Sequence, residues 1–330
     1  MRSIGEMLIV FALSFGACLV AGIPVVRWLG RTQRLAPLRY EDCPPLLAYQ
    51  HTKRQVPTMG GLFLLGTAIT VAVWRGALGS QEGWWVFGAI LATAGLGLAD
   101  DWMKFAQPNG LGIRTRPKLF IALAIGALLG AAIVRNPVHR VWDIPWTGRG
   151  LDMGWWSVPG AMLVFAGSAH AVNLTDGMDG LAAGCVAIAL SVLGIWALEG
   201  DEHSHSLATW CISLAGACIG FLWFNSFPAS IFMGDVGALG LGAGLGAVAL
   251  LTHTALWLLI LGGIFVAEAG SVMLQVASYR WRGGHRLFRV APLHHHVHLG
   301  GLHESHVVMR FWLVALMLAI LCVLSRGVLG

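Results

Sequence analysis

Apolar residues in this chain fall in long runs, separated by short clusters of charge, Gly and Pro. The two-residue alternation that marks half-buried strands is missing. A helix that crosses a bilayer needs about 20 predominantly apolar residues. Ten runs approach that length: 4–26, 58–78, 84–99, 118–134, 157–173, 180–198, 206–224, 231–251, 255–279 and 307–325. The pattern therefore predicts an all-α, polytopic integral membrane protein with about ten transmembrane helices, forming one membrane domain over residues 1–330. The first run is longer than the roughly 7–15 apolar residues of a signal peptide, so it is expected to remain as a first span. Gly240, Gly242, Gly244 and Gly246 recur inside the eighth run. With apolar flanks and no preceding strand, they read as small residues that let helices pack closely, not as a phosphate-binding loop.

Composition agrees with a membrane location: 57% of residues are hydrophobic and 11% charged. The six cysteines show neither paired spacing nor a zinc motif. The net charge of +5 is less informative than its distribution. Fifteen Lys and Arg residues fall on one set of loops: Arg27 to Arg54, Lys104 to Lys118, and Arg280 to Arg310. Six fall on the other face: Arg2, Arg75, Arg135, Arg140, Arg149 and Arg326. The positive-inside rule places the first set in the cytoplasm and both termini outside. The bilayer, not a nucleic acid, is the predicted partner.

The same map sorts the carboxylates. Asp100 and Asp101 end the third run, Asp176 and Asp179 follow the fifth, and Asp235 opens the eighth. All five fall at the expected cytoplasmic boundary, together with Lys53 and the run His294, His295, His296. Ionisable groups at membrane depth are costly and tend to mark function. Asp176 and Asp179, three apart, would share one face of a helix, and like charges so placed need something positive between them. Oxygen-only ligands suit Mg²⁺, which is commonly completed by substrate phosphates. A lysine such as Lys53 or Lys104 is the other possibility.

Competing chemistries fit less well. An intramembrane aspartyl protease of the GxGD type needs Gly where Phe232 stands, and a CDP-alcohol phosphotransferase needs an Arg and later aspartates that "DGLAAGCVAIAL" lacks. Three adjacent histidines rarely all reach one zinc ion. A cation transporter would favour sites at the bilayer midplane.

The segments "KRQVPTMGGL" (53–62), "LADDWMK" (98–104), "AVNLTDGMDGLAAG" (171–184), "FLWFNSFPASIFMGDVGALGLG" (221–242) and "FRVAPLHHHVHL" (288–299) occur in this order. With them the chain resembles the phospho-N-acetylmuramoyl-pentapeptide-transferase family. "APLHHH" favours this branch over the polyprenyl-phosphate N-acetylglucosamine-1-phosphate transferases. The resemblance implies transfer of phospho-N-acetylmuramoyl-pentapeptide from its UDP-linked form to undecaprenyl phosphate at the cytoplasmic face of a bacterial inner membrane, giving lipid I and UMP. It further implies Mg²⁺, a homodimer, and a single catalytic domain.

Residue by residue, the resemblance makes Asp235 the best Mg²⁺ ligand and associates Asp176 with the metal site. It makes Asp100 and Asp101 catalytic alongside Asp235. It assigns Asn173, Asp176 and Asp179 to uridine and the metal site, and Lys53 and Thr58 to nucleotide phosphates or ribose. Asn225, Phe232 and Lys104 line the same cleft, with Phe232 stacked on uracil. His294, His295 and His296 lie near the sugar–phosphate, where their usual titration near neutral pH would make binding pH-sensitive. Departures from the family pattern are Val56, Trp102, the stretch Gln107–Pro108–Asn109, His170, Ala238, Val297 and His298.

Overall fold

A computed structural model describes residues 4–32, 53, 55–106, 112–200 and 202–329. The remainder of the basic loop between the first two helices, with Arg34, Arg39, Cys43 and Arg54, lies outside the described residues, as do Gln107, Pro108 and Asn109. The long helices are α1 (Ile4–Thr32), α2 (Gly61–Trp74), α3 (Gln81–Ala106), α4 (Thr115–Arg135), α5 (Ser157–Thr175), α6 (Leu181–Leu198), α7 (Glu202–Asn225) and α8 (Gly234–Leu251). Then come a single turn, α9 (Leu258–Leu261), the long helix α10 (Gly263–Trp281), the short α11 (Leu293–His298) and α12 (Glu304–Leu329).

Every predicted run thus contains helix, and among the described residues seven helices are long and apolar enough to cross a membrane: α1, α3, α4, α6, α7, α8 and α12. The run at 58–78 yields only the 14-residue α2. The run at 255–279 is broken at Gly262 into α9 and α10. One element escapes the apolar pattern. Strands β1 (Val141–Ile144) and β2 (Arg149–Asp152) pair antiparallel, Val141 opposite Asp152 and Ile144 opposite Arg149. They are too short for any alternation to register, and only Trp142 on β1 is buried. The fold is therefore nearly, not wholly, all-α.

Burial identifies the central helix. In α8, 94% of the apolar window is buried, against 22% in α1 and 28% in α12. A helix that is apolar all round belongs in the interior. Here glycines permit it: a Cβ on Gly242 would run into the Ser168–Ala169 backbone of α5, and one on Gly61 of α2 would meet the Gly237 backbone. The expectation of small-residue packing is met. Helix α3 packs along α8 on another side, α1 along α7, and α4 along α5.

Large exposed tryptophans mark two levels. Trp28, Trp102, Trp223 and Trp281 stand exposed at one end of their helices; Trp74 and Trp84 stand at the other end of theirs, and Trp155 and Trp156 in the short turn just before α5. Amphipathic indole rings favour such interfacial levels.

Candidate active site

The site begins where α3 ends against the start of α8. Asp100 and Asp101 occupy the last two turns of α3, and Asp235 the first turn of α8. The helices meet closely because residue 97 is glycine: a Cβ there would overlap the Asp235 carbonyl and the Val236 Cα. Gly234 adopts φ +75°, a left-handed conformation natural to glycine, and lies against the Asp101 carboxylate and the Thr58 hydroxyl. The Val236 N–H donates to Asp101 Oδ2 at 3.1 Å, so an anion satisfies an open donor at a helix start. The Ile113 N–H donates to Asp100 Oδ1 at 2.6 Å.

Two lysines run between these carboxylates. Lys104, one turn beyond Asp100, pairs with it, lies 3.4 Å from Asp101 and reaches Asp235 at 3.1 Å. Lys118, from the first turn of α4, lies 2.8 Å from Asp235 and 3.3 Å from Asp100. Asp100, Asp101 and Asp235 are all buried, and each offers a carboxylate oxygen within 4.8 Å of the others. Three carboxylates against two ammonium groups leave one negative charge in excess. That donor set fits a hard divalent cation such as Mg²⁺, which would turn the site net positive and ready for phosphate. Among the described residues this is the group able to share an ion, and Asp176 lies outside it.

A second cluster adjoins the first. Helix α5 stops at Thr175 and α6 starts at Leu181, so Asp176 and Asp179 sit in a turn and not on one helix. The positive partner of Asp179 is Lys53, which also pairs with Glu304 at the start of α12. Glu304 Oε1 accepts the Asp179 N–H at 2.9 Å, and Asp179 Oδ2 accepts the Ala229 N–H at 2.9 Å. Burial pushes the Asp179 carboxyl above its ordinary range; Lys53 pulls it back and Glu304 adds to the rise. Asn225 bridges the Gly180 N–H and the Ile231 carbonyl at 3.1 and 2.8 Å. Lys53 Nζ stands 5.9 Å from the Phe232 ring centroid and 6.0 Å from that of Phe227. Residues 57–61 bond to 232–233 through Phe232 N–H to Pro57 and Gly60 N–H to Phe232, which ties the two clusters together. Asn173 stands half-buried in the last turn of α5.

The three histidines diverge. His294 is fully buried, with Nδ1 3.1 Å from Glu268 Oε2 of α10, and its ring lies against Gly177. His295 is buried beside His294, and burial, His294, His298 and Lys53 together push it down to about 2. It therefore does not titrate near neutral pH, contrary to expectation. His296 accepts the Arg289 N–H at 3.1 Å and sits edge-on to Phe288.

Three site residues were not singled out from sequence. Lys118 was counted only as loop charge. Glu268 and Glu304 each lie in or beside a long apolar run, and an ionisable group in such a place is itself the signal. Of the departures, Trp102 points outward, 62% exposed. His298 Nδ1 lies 2.8 Å from its own loop at the Leu302 carbonyl. His170 lies beside Lys118.

Residues 84–253 match the family model described as glycosyl transferase family 4. The phospho-N-acetylmuramoyl-pentapeptide-transferase of Thermodesulfovibrio yellowstonii is 38% identical, over 94% of this chain and 90% of its own. The protein of the same name from Methylacidiphilum infernorum is 37% identical, over 93% and 89%. That of Solidesulfovibrio magneticus is 35% identical, over 97% and 91%.

Proposed function

The chain belongs to glycosyl transferase family 4 and to the phospho-N-acetylmuramoyl-pentapeptide-transferase family, and on that premise we propose that it transfers phospho-N-acetylmuramoyl-pentapeptide from UDP to undecaprenyl phosphate. The products are lipid I and UMP, as peptidoglycan synthesis requires. The observation that carries this reading is the buried group Asp100, Asp101 and Asp235 with Lys104 and Lys118 threaded through it.

An oxygen of the acceptor phosphate attacks the β-phosphorus of the donor. The bond from that phosphorus to the bridging oxygen breaks, and its electron pair leaves on UMP. One phosphoanhydride replaces another, so positioning and charge neutralisation dominate. Bound at Asp100, Asp101 and Asp235, Mg²⁺ would polarise the phosphoryl oxygens and steady the leaving phosphate. Lys104 and Lys118 offset the charge that gathers as two anions approach. The acceptor phosphate, with a second pKa of about 6, is already largely dianionic at neutral pH, so no strong base is needed. Lys53, held between Asp179 and Glu304, is available to the donor's diphosphate, and the Phe232 ring to its uracil. Asn173, Asp176 and Asn225 complete the nucleotide side, and His294, His295 and His296 the sugar–phosphate side.

Purified protein supplied with undecaprenyl phosphate, and with each UDP-sugar in turn, tests the assignment. UMP release is expected with UDP-N-acetylmuramoyl-pentapeptide by a wide margin in kcat/KM. Release with UDP-N-acetylglucosamine alone would refute the donor.

The same reading makes residues 1–330 one catalytic domain of ten transmembrane helices, in an inner membrane, with a cytoplasmic active site and both termini outside. The fifteen-to-six bias of basic residues supports that orientation. The five described cysteines are buried. In a Cys43→Ser background, an impermeant thiol reagent applied to spheroplasts should therefore label Glu199→Cys and miss His285→Cys. The opposite pattern inverts the orientation. A homodimer is proposed from family likeness, and native mass spectrometry from bilayer discs reads it.

A further inference from the structure

We infer that Glu304 is a positioning residue for the UDP-linked donor, aiming the Lys53 ammonium at the donor's diphosphate and tying it to the Asp176–Gly180 turn. This rests on the proposed function. Glu304 stands in the first turn of α12 and is 2% exposed. One of its oxygens, Oε1, serves two groups: it pairs with Lys53 Nζ and accepts the Asp179 N–H at 2.9 Å. The Asp179 side chain closes the ring, pairing with Lys53 through Oδ1 and accepting the Ala229 N–H through Oδ2 at 2.9 Å. Three positions far apart in sequence, 53, 179 and 304, thus meet at one ammonium group.

A lysine tip on its four-carbon stem samples many directions, and ordering it costs entropy. The ammonium has three N–H donors. Two carboxylates fix the directions of two of them and with these the direction of the third; one carboxylate alone would let the group turn about a single contact. So held, Nζ lies 5.9 Å from the Phe232 ring centroid and 6.0 Å from that of Phe227. The spacing between the ring for uracil and the charge for the diphosphate is thereby set. Stability does not account for Glu304. Among the described residues its Oε2 is buried and accepts no hydrogen bond, and a half-satisfied buried carboxylate is costly. Nor does α12 need it for docking. Farther along that helix the Trp312 indole lies against Gly180 and Gly184, where a Cβ on Gly184 would overlap it, and Ala315, Ala319 and Cys322 are buried. Packing holds the helix, and the carboxylate at its start serves the ammonium.

Calorimetric titration of UDP into protein in bilayer discs, with Mg²⁺ present, tests this without turnover. Uridine is the control, since it lacks the diphosphate. Glu304→Gln, nearly isosteric, should weaken UDP about tenfold, the scale of one hydrogen bond to a charged group, and leave uridine unchanged. Lys53→Met should do the same, and Glu304→Gln added to it should cost nothing further, because coupled residues are not additive. In turnover, the KM for the UDP-linked donor should rise in Glu304→Gln while that for undecaprenyl phosphate stays unchanged. Equal losses for UDP and uridine would mean a structural role only. A further loss in the double variant would mean that Glu304 acts apart from Lys53, and unchanged or tighter UDP in Glu304→Gln would mean that it merely competes with the donor for Lys53. Each of these overturns the inference. A wild type that binds UDP yet releases no UMP from UDP-N-acetylmuramoyl-pentapeptide refutes the proposed function and leaves the inference standing; one that does not bind UDP refutes both. Should Glu304→Gln fail to fold, Lys53→Met decides: a loss confined to UDP upholds the inference, and undiminished UDP affinity overturns it.

Discussion

Asp235→Asn is expected to abolish turnover, with kcat falling by roughly 10³-fold or more, while the protein still extracts as a folded species. The change is nearly isosteric, so the packing of α8 against α3 survives. The electrostatics do not. Asp235 faces Lys104 at 3.1 Å and Lys118 at 2.8 Å and shares an ion-sized space with Asp100 and Asp101. Without its charge the cluster becomes neutral, and a divalent cation loses both a ligand and the excess charge that draws it in. Removing one preorganised charge-stabilising group commonly costs about 10²–10³ in kcat, and loss of the metal would add to that. UMP release is the readout. EDTA should silence the wild type and added Mg²⁺ restore it, whereas the variant should stay silent throughout. Wild-type turnover in excess EDTA, or a fully active Asp235→Asn, would remove the metal assignment.

Gly97→Ala should cost more activity than a methyl group seems to warrant. The added carbon would meet the Asp235 carbonyl and the Val236 Cα, which are backbone and cannot rotate aside. The start of α8 must then move away from α3, separating Asp235 from Asp100 and Asp101. Displacing a reacting group by about 1 Å can cost 10²-fold, whereas overpacking of this kind typically destabilises by about 1–3 kcal/mol. Activity is therefore expected to fall about a hundredfold while thermal unfolding in detergent shifts by only a few degrees. The comparison needs both measurements on one preparation. Unchanged kcat would mean that the approach of the two helices does not set the spacing of the carboxylates.

Much of this arrangement was legible in the chain because membrane helices obey one strong rule: backbone polar groups must be satisfied internally, so apolar length reports helix directly. That rule says nothing about strands of four residues, and the hairpin at 141–152 went unseen. It also did not reveal the turn at Asp176–Gly180. Spacing alone put Asp176 and Asp179 on one face, whereas α5 ends at Thr175 and α6 starts at Leu181, so the pair sits in the turn between them. The convergence of Asp100 and Asp101 with Asp235 was readable from the charge map, because the end of the third run and the start of the eighth had to meet on one side. Their lysine partners were harder to assign. Lys118 looks like any basic residue at a helix start, and only the tertiary approach of α4 places it on Asp235. Glu268 and Glu304 were the more recoverable omissions, since a carboxylate in or beside an apolar run carries its own warning.

The exposed ring of Trp102 adjoins Asp101 in sequence, so the carboxylate cluster lies at the depth where indoles settle. An acceptor lipid can thus present its phosphate without leaving its leaflet, while the nucleotide arrives from water. The two reactants live in different phases. For one of them the governing quantity is its mole fraction in the film, and diluting the film with inert lipid starves the enzyme even when the amount in the tube is constant. For the other it is ordinary molarity. Catalysis here is heterogeneous, like that at an electrode, with the protein fixed at the boundary that neither substrate needs to cross.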